Sequence, residues 1–561
     1  MRSLRLAAVL ALAVAGTSFA QPPRAEPSRV QPATGGAAPA APTFSADRFK
    51  AHVAFLADDA LEGRDTGSRG YDVAAAYVAS QFLSLGLEPG GAKGSWYAQV
   101  PFRSTTLVGT PTVTISGAGP ARSWQNGTDV VVRPSLQERE QDVSAPVVFA
   151  GYGLDAKGQG LDDYKGLDVR GKVVAVLAGV PSGLDSEIAA HLGDQKEAMA
   201  AAHGAVGFVT LPTAAGERRR PWRATTMNLG RASLGWVGPD GKANDEAPGV
   251  KVTATLNTPA AEALFAGAKR GYPAVRAEAD RDGARPKGFP LKTTIRIQRS
   301  SAWTTISSPE VIGLLPGGDP KLKDEYVILM GHLDHLGIKR NAKPGEDAVY
   351  NGALDNAAGV ATMLEAARAF AQSGERPRRS ILFIANTGEE KGLLGASYFA
   401  AHPSVPIGRI VSAVDLDMPL LLYPFTDVIA FGADHSTVAE AVRRAAARMN
   451  VALSPDPMPE QNIFVRSDHY EFVRQGVPAI LLATGYANGG HEKWDWFFEH
   501  AYHKVGDDMS QPIDWASGAR YAELNYLISR ELADADQRPR WYKGDYFGDL
   551  FAPGKARAVR P

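Results

Sequence analysis

Two textures of hydrophobic patterning divide the chain. From Ser301 onward, short continuous apolar runs alternate with segments of helical period. Residues 311–315, 326–330, 380–386, 410–416, 428–431 and 478–482 predict strands. Residues 358–372, 436–449, 469–474 and 513–532 predict helices. In the first of these, Val360, Met363, Leu364, Ala367 and Phe370 share one face at i, i+3, i+4 spacing. Strands that are apolar throughout, rather than alternating, belong to a sheet covered on both faces. The pattern therefore predicts an α/β protein with a mostly parallel, mixed sheet flanked by helices.

Between about Leu107 and Leu256 the texture is different. Short β-rich runs at 112–115, 130–132, 147–149, 172–176, 207–211 and 250–256 are separated by Gly/Pro turns, with one helix at 186–203. This predicts a β-rich module set into the α/β part. Upstream, a helix beginning at Ala46 and a second at 72–85 flank the polar turn Gly63-Arg64-Asp65-Thr66-Gly67-Ser68. The tail from about Asp536 is aromatic and basic, with Trp541, Tyr542, Tyr546 and Phe547, and is expected to pack across the surface.

The N-terminus reads as a secretory signal over residues 1–20. Arg2 and Arg5 precede an apolar core at 6–16 and a small-x-small site at Ser18-Phe19-Ala20. A Pro/Ala/Gly-rich spacer follows at 21–42. With no further apolar run of membrane-spanning length, an exported protein, periplasmic or extracellular and without a stable membrane anchor, is expected. Lys+Arg 60 against Asp+Glu 61 creates no field that would attract nucleic acid. The chain has no cysteine. That excludes a lipid-attached Cys, disulfides, a thiol nucleophile and thiolate metal ligands, and leaves His and carboxylates for any metal. Oligomeric state is not legible.

The chemistry gathers after the apolar runs. Gly331-His332-Leu333-Asp334-His335-Leu336-Gly337 follows residues 326–330 and ends a strand in imidazole and carboxylate groups. A ligating imidazole needs an acceptor for its second ring N–H, and Asp334 is placed to provide one for His332. Asp355, just before a helix, serves either as an N-cap or as a carboxylate bridging two metal ions. Glu389 and Glu390 follow a strand; adjacent side chains diverge, so one can bind metal while the other faces a reacting water. Asp415 and Asp417 sit in an apolar strand, where carboxylates need a partner such as a cation. Tyr502-His503 offers a phenol beside an imidazole. Two nitrogen and three carboxylate ligands suit two zinc ions sharing one carboxylate, and suit zinc better than calcium. No Gly-x-Ser-x-Gly elbow and no His-Glu-x-x-His helix is present.

In this order, Gly331-His332-Leu333-Asp334, Leu354-Asp355-Asn356, Glu389-Glu390, Leu416-Asp417-Met418 and Tyr502-His503 resemble the M28 family of co-catalytic zinc peptidases. The resemblance implies His332, Asp355, Glu390, Asp417 and His503 as ligands of two Zn²⁺ ions, with Asp355 bridging. It implies Glu389 as general base toward the metal-bridging water, Asp334 as the group that orients His332, and Tyr502 as oxyanion donor. It gives His335 no ligand role, which leaves that residue as structural. Ser467-Asp468-His469 and the Gly63–Ser68 turn are similar to family segments near the pocket and at the domain entry. Gly151-Tyr152-Gly153 and the segment 163–173 are similar to an inserted protease-associated domain. The implied organisation is a peptidase domain at 43–106 and 296–535, an inserted domain at 107–295 and a tail at 536–561. Peptide substrates and aminopeptidase activity are implied, with a carboxypeptidase or a glutaminyl-cyclase-like enzyme as alternatives on the same fold. Side-chain preference is not legible.

Overall fold

The computed structural model describes residues 41–227 and 229–561. The expected signal segment and all but the last two residues of the spacer lie outside them. Among the described residues, no helix is long and apolar enough to cross a membrane.

The strands that matter for the site are, in chain order, β1 (Tyr97–Ser116), β2 (Glu140–Phe149), β3 (Val173–Leu177), β4 (Gly207–Leu211), β5 (Val252–Leu256), β6 (Phe289–Leu315), β7 (Tyr326–His332), β8 (Ser380–Asn386), β9 (Ile410–Asp415), β10 (Asp427–Phe431) and β11 (Ala479–Thr484). The helices are α1 (Ala46–Leu56), α2 (Arg69–Ser84), α3 (Ser186–Asp194), α4 (Ala358–Gln372) and α5 (Trp515–Asp534).

A single sheet runs in the order β10-β11-β9-β7-β8-β6-β2-β3-β4-β5. Its half from β7 to β11 is parallel at the centre, with β7 paired to β8 and β9, and β9 to β11. Antiparallel β10 and β6 flank that centre. Val327–Met330 and Ile381–Ala385 are fully buried because α4 and α5 cover one face and other helices the opposite one. α4 carries the predicted apolar stripe, yet Ala358, Ala361, Ala366 and Ala369 are buried as well. Small residues on its remaining faces let it lie close to α1, α5 and the strands at once.

The β-rich block does not hang on a flexible joint. β1 is 20 residues long and β6 is 27, and the two pair antiparallel along most of their length. The expected boundaries near 107 and 295 therefore fall inside continuous strands. Ile295 and Ile297 pack into the core of the block, whereas Val311 and Ile312 pack into the core of the α/β part. A register shift between Gln298 and Ser300 lies between these two stretches. The predicted helix at 186–203 is broken into Ser186–Asp194 and Lys196–Ala202.

The aromatic tail is part of the core rather than a surface strap. Trp541 and Phe547 are buried against the α/β part. Asp545 receives a hydrogen bond from His435 Nδ1 at 2.6 Å, and His435 Nε2 meets Glu187 of α3 at 2.8 Å. His191, also on α3, contacts the Tyr470 hydroxyl at 2.7 Å and sits among Tyr546, Phe547 and Phe551. Tail, block and α/β part thus meet at one imidazole. Burial alone would lower the His435 pKa, but the Asp545 and Glu187 carboxylates outweigh it and raise it to about 9.

A folded-state value above the ordinary histidine value of 6.5 stabilises the fold fully below pH 6.5, and the contribution fades as pH rises through 9. The expected size is about 3 kcal/mol. Urea midpoints of the wild type should fall between pH 6 and pH 10 by more than those of His435→Gln. Parallel falls in both would mean that the imidazolium does not hold the three parts together.

Candidate metal centre

The groups expected to carry chemistry converge at the carboxyl ends of the parallel strands, where an open α/β sheet presents its ligands. His332 is the last residue of β7. Glu389 and Glu390 lie in the turn after β8, and Asp417 two residues beyond β9. Asp355 comes from the irregular turn that leads into α4, and its peptide bond to Asn356 is cis. His503 follows the helix Gly490–His500 and has φ +55°, a left-handed conformation rarely adopted by a non-glycine residue.

Asp355 is the hub. His332 Nε2 lies 3.3 Å from Asp355 Oδ1 and 3.1 Å from Asp417 Oδ1. His503 Nε2 lies 3.2 Å from Asp355 Oδ2 and 3.3 Å from Glu390 Oε2. Two atoms bound to one tetrahedral ion at about 2.0–2.1 Å are held about 3.3 Å apart. Both sets of distances fit edges of such a tetrahedron, and Asp355 gives one oxygen to each set. Its Oδ2 is buried and has no hydrogen-bond partner among the described residues. The five expected ligands therefore meet around one carboxylate; His332, Asp355 and Asp417 stand close enough to share one cation, and so do His335, Asp355 and Glu390, with His503 beside that second set, so the donors fit two cations.

The local fold is built to hold that carboxylate. Asp507 accepts the backbone N–H of Leu354 and of Asp355, both at 2.9 Å. Asn356 donates to the Leu416 carbonyl at 2.8 Å and accepts from Gly359 N and Met418 N, so it ties the Asp355 turn to the Asp417 turn. Gly359 is obligatory there, because a Cβ would lie 1.9 Å from the Leu416 oxygen. Arg64, nearly fully buried, donates to the carbonyls of Leu333 at 2.9 Å and Asn351 at 2.7 Å, and to those of Leu56 and Gly352. Burial lowers its pKa to about 10, opposed by Asp507, Asp355, Asp334 and Glu390. It remains a cation at neutral pH beside four carboxyl groups.

Two roles differ from expectation. The acceptor that faces His332 Nδ1 is the backbone carbonyl of Asp334, at 3.0 Å, and not its carboxylate. The tight turn after β7 points that side chain away, and the carboxylate instead accepts from Glu389 N at 3.2 Å and Thr66 Oγ1 at 3.0 Å. Asp334 thus orients His332 through its main chain and the Glu389 turn through its side chain. His335, expected to be structural, points into the centre with Nδ1 2.6 Å from Glu390 Oε1. Asp415 stays outside the triads; Ser467 Oγ lies 2.7 Å from Asp415 Oδ2 and 2.8 Å from Asp417 Oδ2, and so links the pair.

Electrostatically the centre is tuned to cations. Burial opposes the charged form of His332, but Asp417 and Glu389 outweigh it and raise its pKa well above the ordinary value. Burial favours the neutral acid at Asp355, but His335, His332 and His503 hold it well below the carboxylate range. Glu389, outside both triads, is pushed well above that range by burial, with Asp417 and Glu390 adding to the effect and His332 opposing. Burial raises Asp507 to about 6.

A cleft of about 450 Å³ opens on the centre. Glu389, Tyr502 and His503 line it beside the triads; Phe431, Val465, Leu481, Ala483 and Trp494 form an apolar wall. The Tyr502 ring stacks on His503 with centroids 3.9 Å apart. Asp194, at the end of α3, reaches the cleft from the β-rich block.

Arg64, Thr66, Ser467 and Asp507 escaped a role in the sequence. The first three lie in segments noted only for their resemblance, and Asp507 is one of two adjacent acids that pattern alone cannot tell from a surface pair.

Paired acid-and-imidazole clusters at one end of an α/β sheet are a donor set suited to metal ions. Residues 310–528, which contain both triads and Glu389, match the model of Peptidase family M28. Among curated relatives, a "Probable zinc metalloprotease" of Pyrenophora teres f. teres is 38% identical over 111 residues, 19% of this chain and 22% of that protein. "Leupeptin-inactivating enzyme 1" of Streptomyces exfoliatus is 26% identical over 247 residues, 42% of this chain and 50% of that protein. The chain thus spans half or less of the length of these relatives. Among solved structures, the "Aminopeptidase from Aneurinibacillus sp. strain AM-1" is matched at a TM-score of 0.48 and 20% identity, over 88% of this chain and 95% of that one.

Removing one partner from a buried charge network ordinarily costs about 3–5 kcal/mol. Arg64→Met should lose stability of that size, read as a fall in the urea midpoint of the metal-free chain. A loss within the range of an ordinary surface substitution, about 0.5 kcal/mol, would show that the guanidinium does not brace the centre.

Proposed function

We propose that the chain is a two-zinc exopeptidase that removes N-terminal residues, preferably apolar ones, from peptides. The observation that carries this reading is the division of the Asp355 carboxylate between two triads of ligand-like spacing. His332, Asp355 and Asp417 would hold one zinc, and Asp355, Glu390 and His503 the other. Imidazole among the donors favours zinc over calcium. Zinc bound there supplies Lewis acidity toward the scissile carbonyl and lowers the pKa of the attacking water.

The side chains supply the rest. Glu389 lines the cleft outside both triads, and its raised pKa suits a group that takes a proton from water and returns it to the leaving amine. Asp334 holds its backbone N–H and so fixes where the carboxyl points. Tyr502, kept protonated by burial, would donate to the carbonyl oxygen as charge develops on it. The apolar wall excludes water from one side of the cleft and suits an aliphatic or aromatic first side chain. A one-zinc cyclisation would leave one triad without use. Export to the periplasm or medium belongs to the same reading, on the strength of residues 1–20.

Leucyl- and phenylalanyl-anilides should be hydrolysed faster than aspartyl- or lysyl-anilides, and N-acetylated or C-terminal-only substrates poorly. Glu389→Gln should lower kcat by about 10²–10⁴ with the zinc content unchanged. Near-normal turnover in Glu389→Gln, or turnover that survives exhaustive chelation, would overturn the reading.

A further inference from the structure

We propose that His335 is a positioning residue that fixes Glu390 as a one-oxygen ligand and thereby sets the affinity of the second metal site; this rests on the two-zinc reading above. The argument begins with distances. The four contacts within the triads lie at 3.1–3.3 Å, the spacing of atoms that share a tetrahedral ion, about 3.3 Å. His335 Nδ1 and Glu390 Oε1 lie 2.6 Å apart. That is too close for two ligands of one ion and has the length of a direct, charge-assisted hydrogen bond. Nδ1–H therefore donates to Oε1, while the other oxygen of Glu390, Oε2, faces His503 in the second triad. The imidazole divides the carboxylate and leaves one oxygen for the metal.

The ring has no freedom to do otherwise. His335 is fully buried, and its backbone N–H is held by the Arg64 carbonyl at 3.1 Å. Gly352, at φ +57°, forms one wall of its seat; a Cβ there would lie 2.7 Å from His335 Cδ2 and 2.8 Å from Cγ. Nε2 has no hydrogen-bond partner among the described residues, so Glu390 and, at 4.0 Å, Asp355 are the acids in reach of the ring, both from Nδ1. A histidine needed only for volume would not require its donor aimed at a ligand oxygen.

The test separates donor from bulk. In His335→Asn the side-chain amide stands near the place of Nδ1; in His335→Gln it reaches toward the place of Nε2. Losing the outer partner of a metal ligand ordinarily costs about 10- to 100-fold in affinity. Titrating the chelator-dialysed full chain with Zn²⁺ against a chromophoric competitor should give two sites in the wild type. His335→Ala and His335→Gln should weaken the second site by that factor and leave the first unchanged, and His335→Asn should recover most of the loss. Wild-type affinity for the second zinc in all three variants would overturn the inference. So would an equal loss in all three, since that would mark the ring as packing. A wild type that takes up a single zinc would overturn the two-zinc reading, and the inference with it. If His335→Ala does not fold, judged by its metal-free melting curve, the contrast between Asn and Gln decides alone.

Discussion

The structure is organised around one buried carboxylate. Asp355 is almost completely shielded, and an ionised acid in such a place is unfavourable by several kcal/mol unless positive charge and hydrogen-bond donors surround it. His332 and His503 approach one oxygen each. Arg64 adds fixed positive charge through the floor of the site. Around them, Asp507 and Asn356 convert backbone N–H groups and carbonyls of three separate turns into a single rigid frame. A site framed this way holds its acids and imidazoles in place before any cation arrives, and that preorganisation is what the proposed two-metal hydrolysis requires.

The reacting face of the site is shared among parts far apart in sequence. Strand ends of the parallel sheet supply the proposed ligands His332, Glu390 and Asp417, the turn into α4 supplies Asp355, the segment after the helix Gly490–His500 supplies His503, and the turn after β8 also supplies the candidate base. The β-rich block contributes Asp194 at the rim through α3, and the C-terminal tail keeps α3 in place through Asp545, His435 and Glu187. The tail therefore bears on the shape of the cleft without touching it. Because β1 and β6 run unbroken through block and catalytic domain, the rim is rigidly coupled to the centre rather than tethered by linkers.

Much of this was legible in the chain. Continuous apolar runs such as 326–330 and 380–386 have one stable home, the interior of a parallel sheet, and acids or imidazoles just beyond them stand at the strand ends. That rule points to His332, Glu390 and Asp417; the set of five is what the family resemblance of the motif order implies. Where two chemically similar groups sit on one turn, the pattern was silent. His332 and His335 are three residues apart, and spacing does not say that both rings face the centre. Asp334 could meet an imidazole with its carboxylate or its carbonyl, and the turn geometry chose the carbonyl. Arg64 looked like an ordinary polar turn residue; its burial depends on contacts with residues 269 and 287 positions away.

The sequence by itself determined the fold class and the exclusion of thiol chemistry, since these depend on local period and on residue type. The tertiary structure decided which oxygen of Asp355 and of Glu390 meets which imidazole, where Asp334 points, that His335 faces Glu390, and that the aromatic tail is core. The reason is physical. Period and propensity act over a few residues, whereas burial, charge compensation and hydrogen-bond pairing are settled only when segments hundreds of residues apart compete for the same donors and the same space.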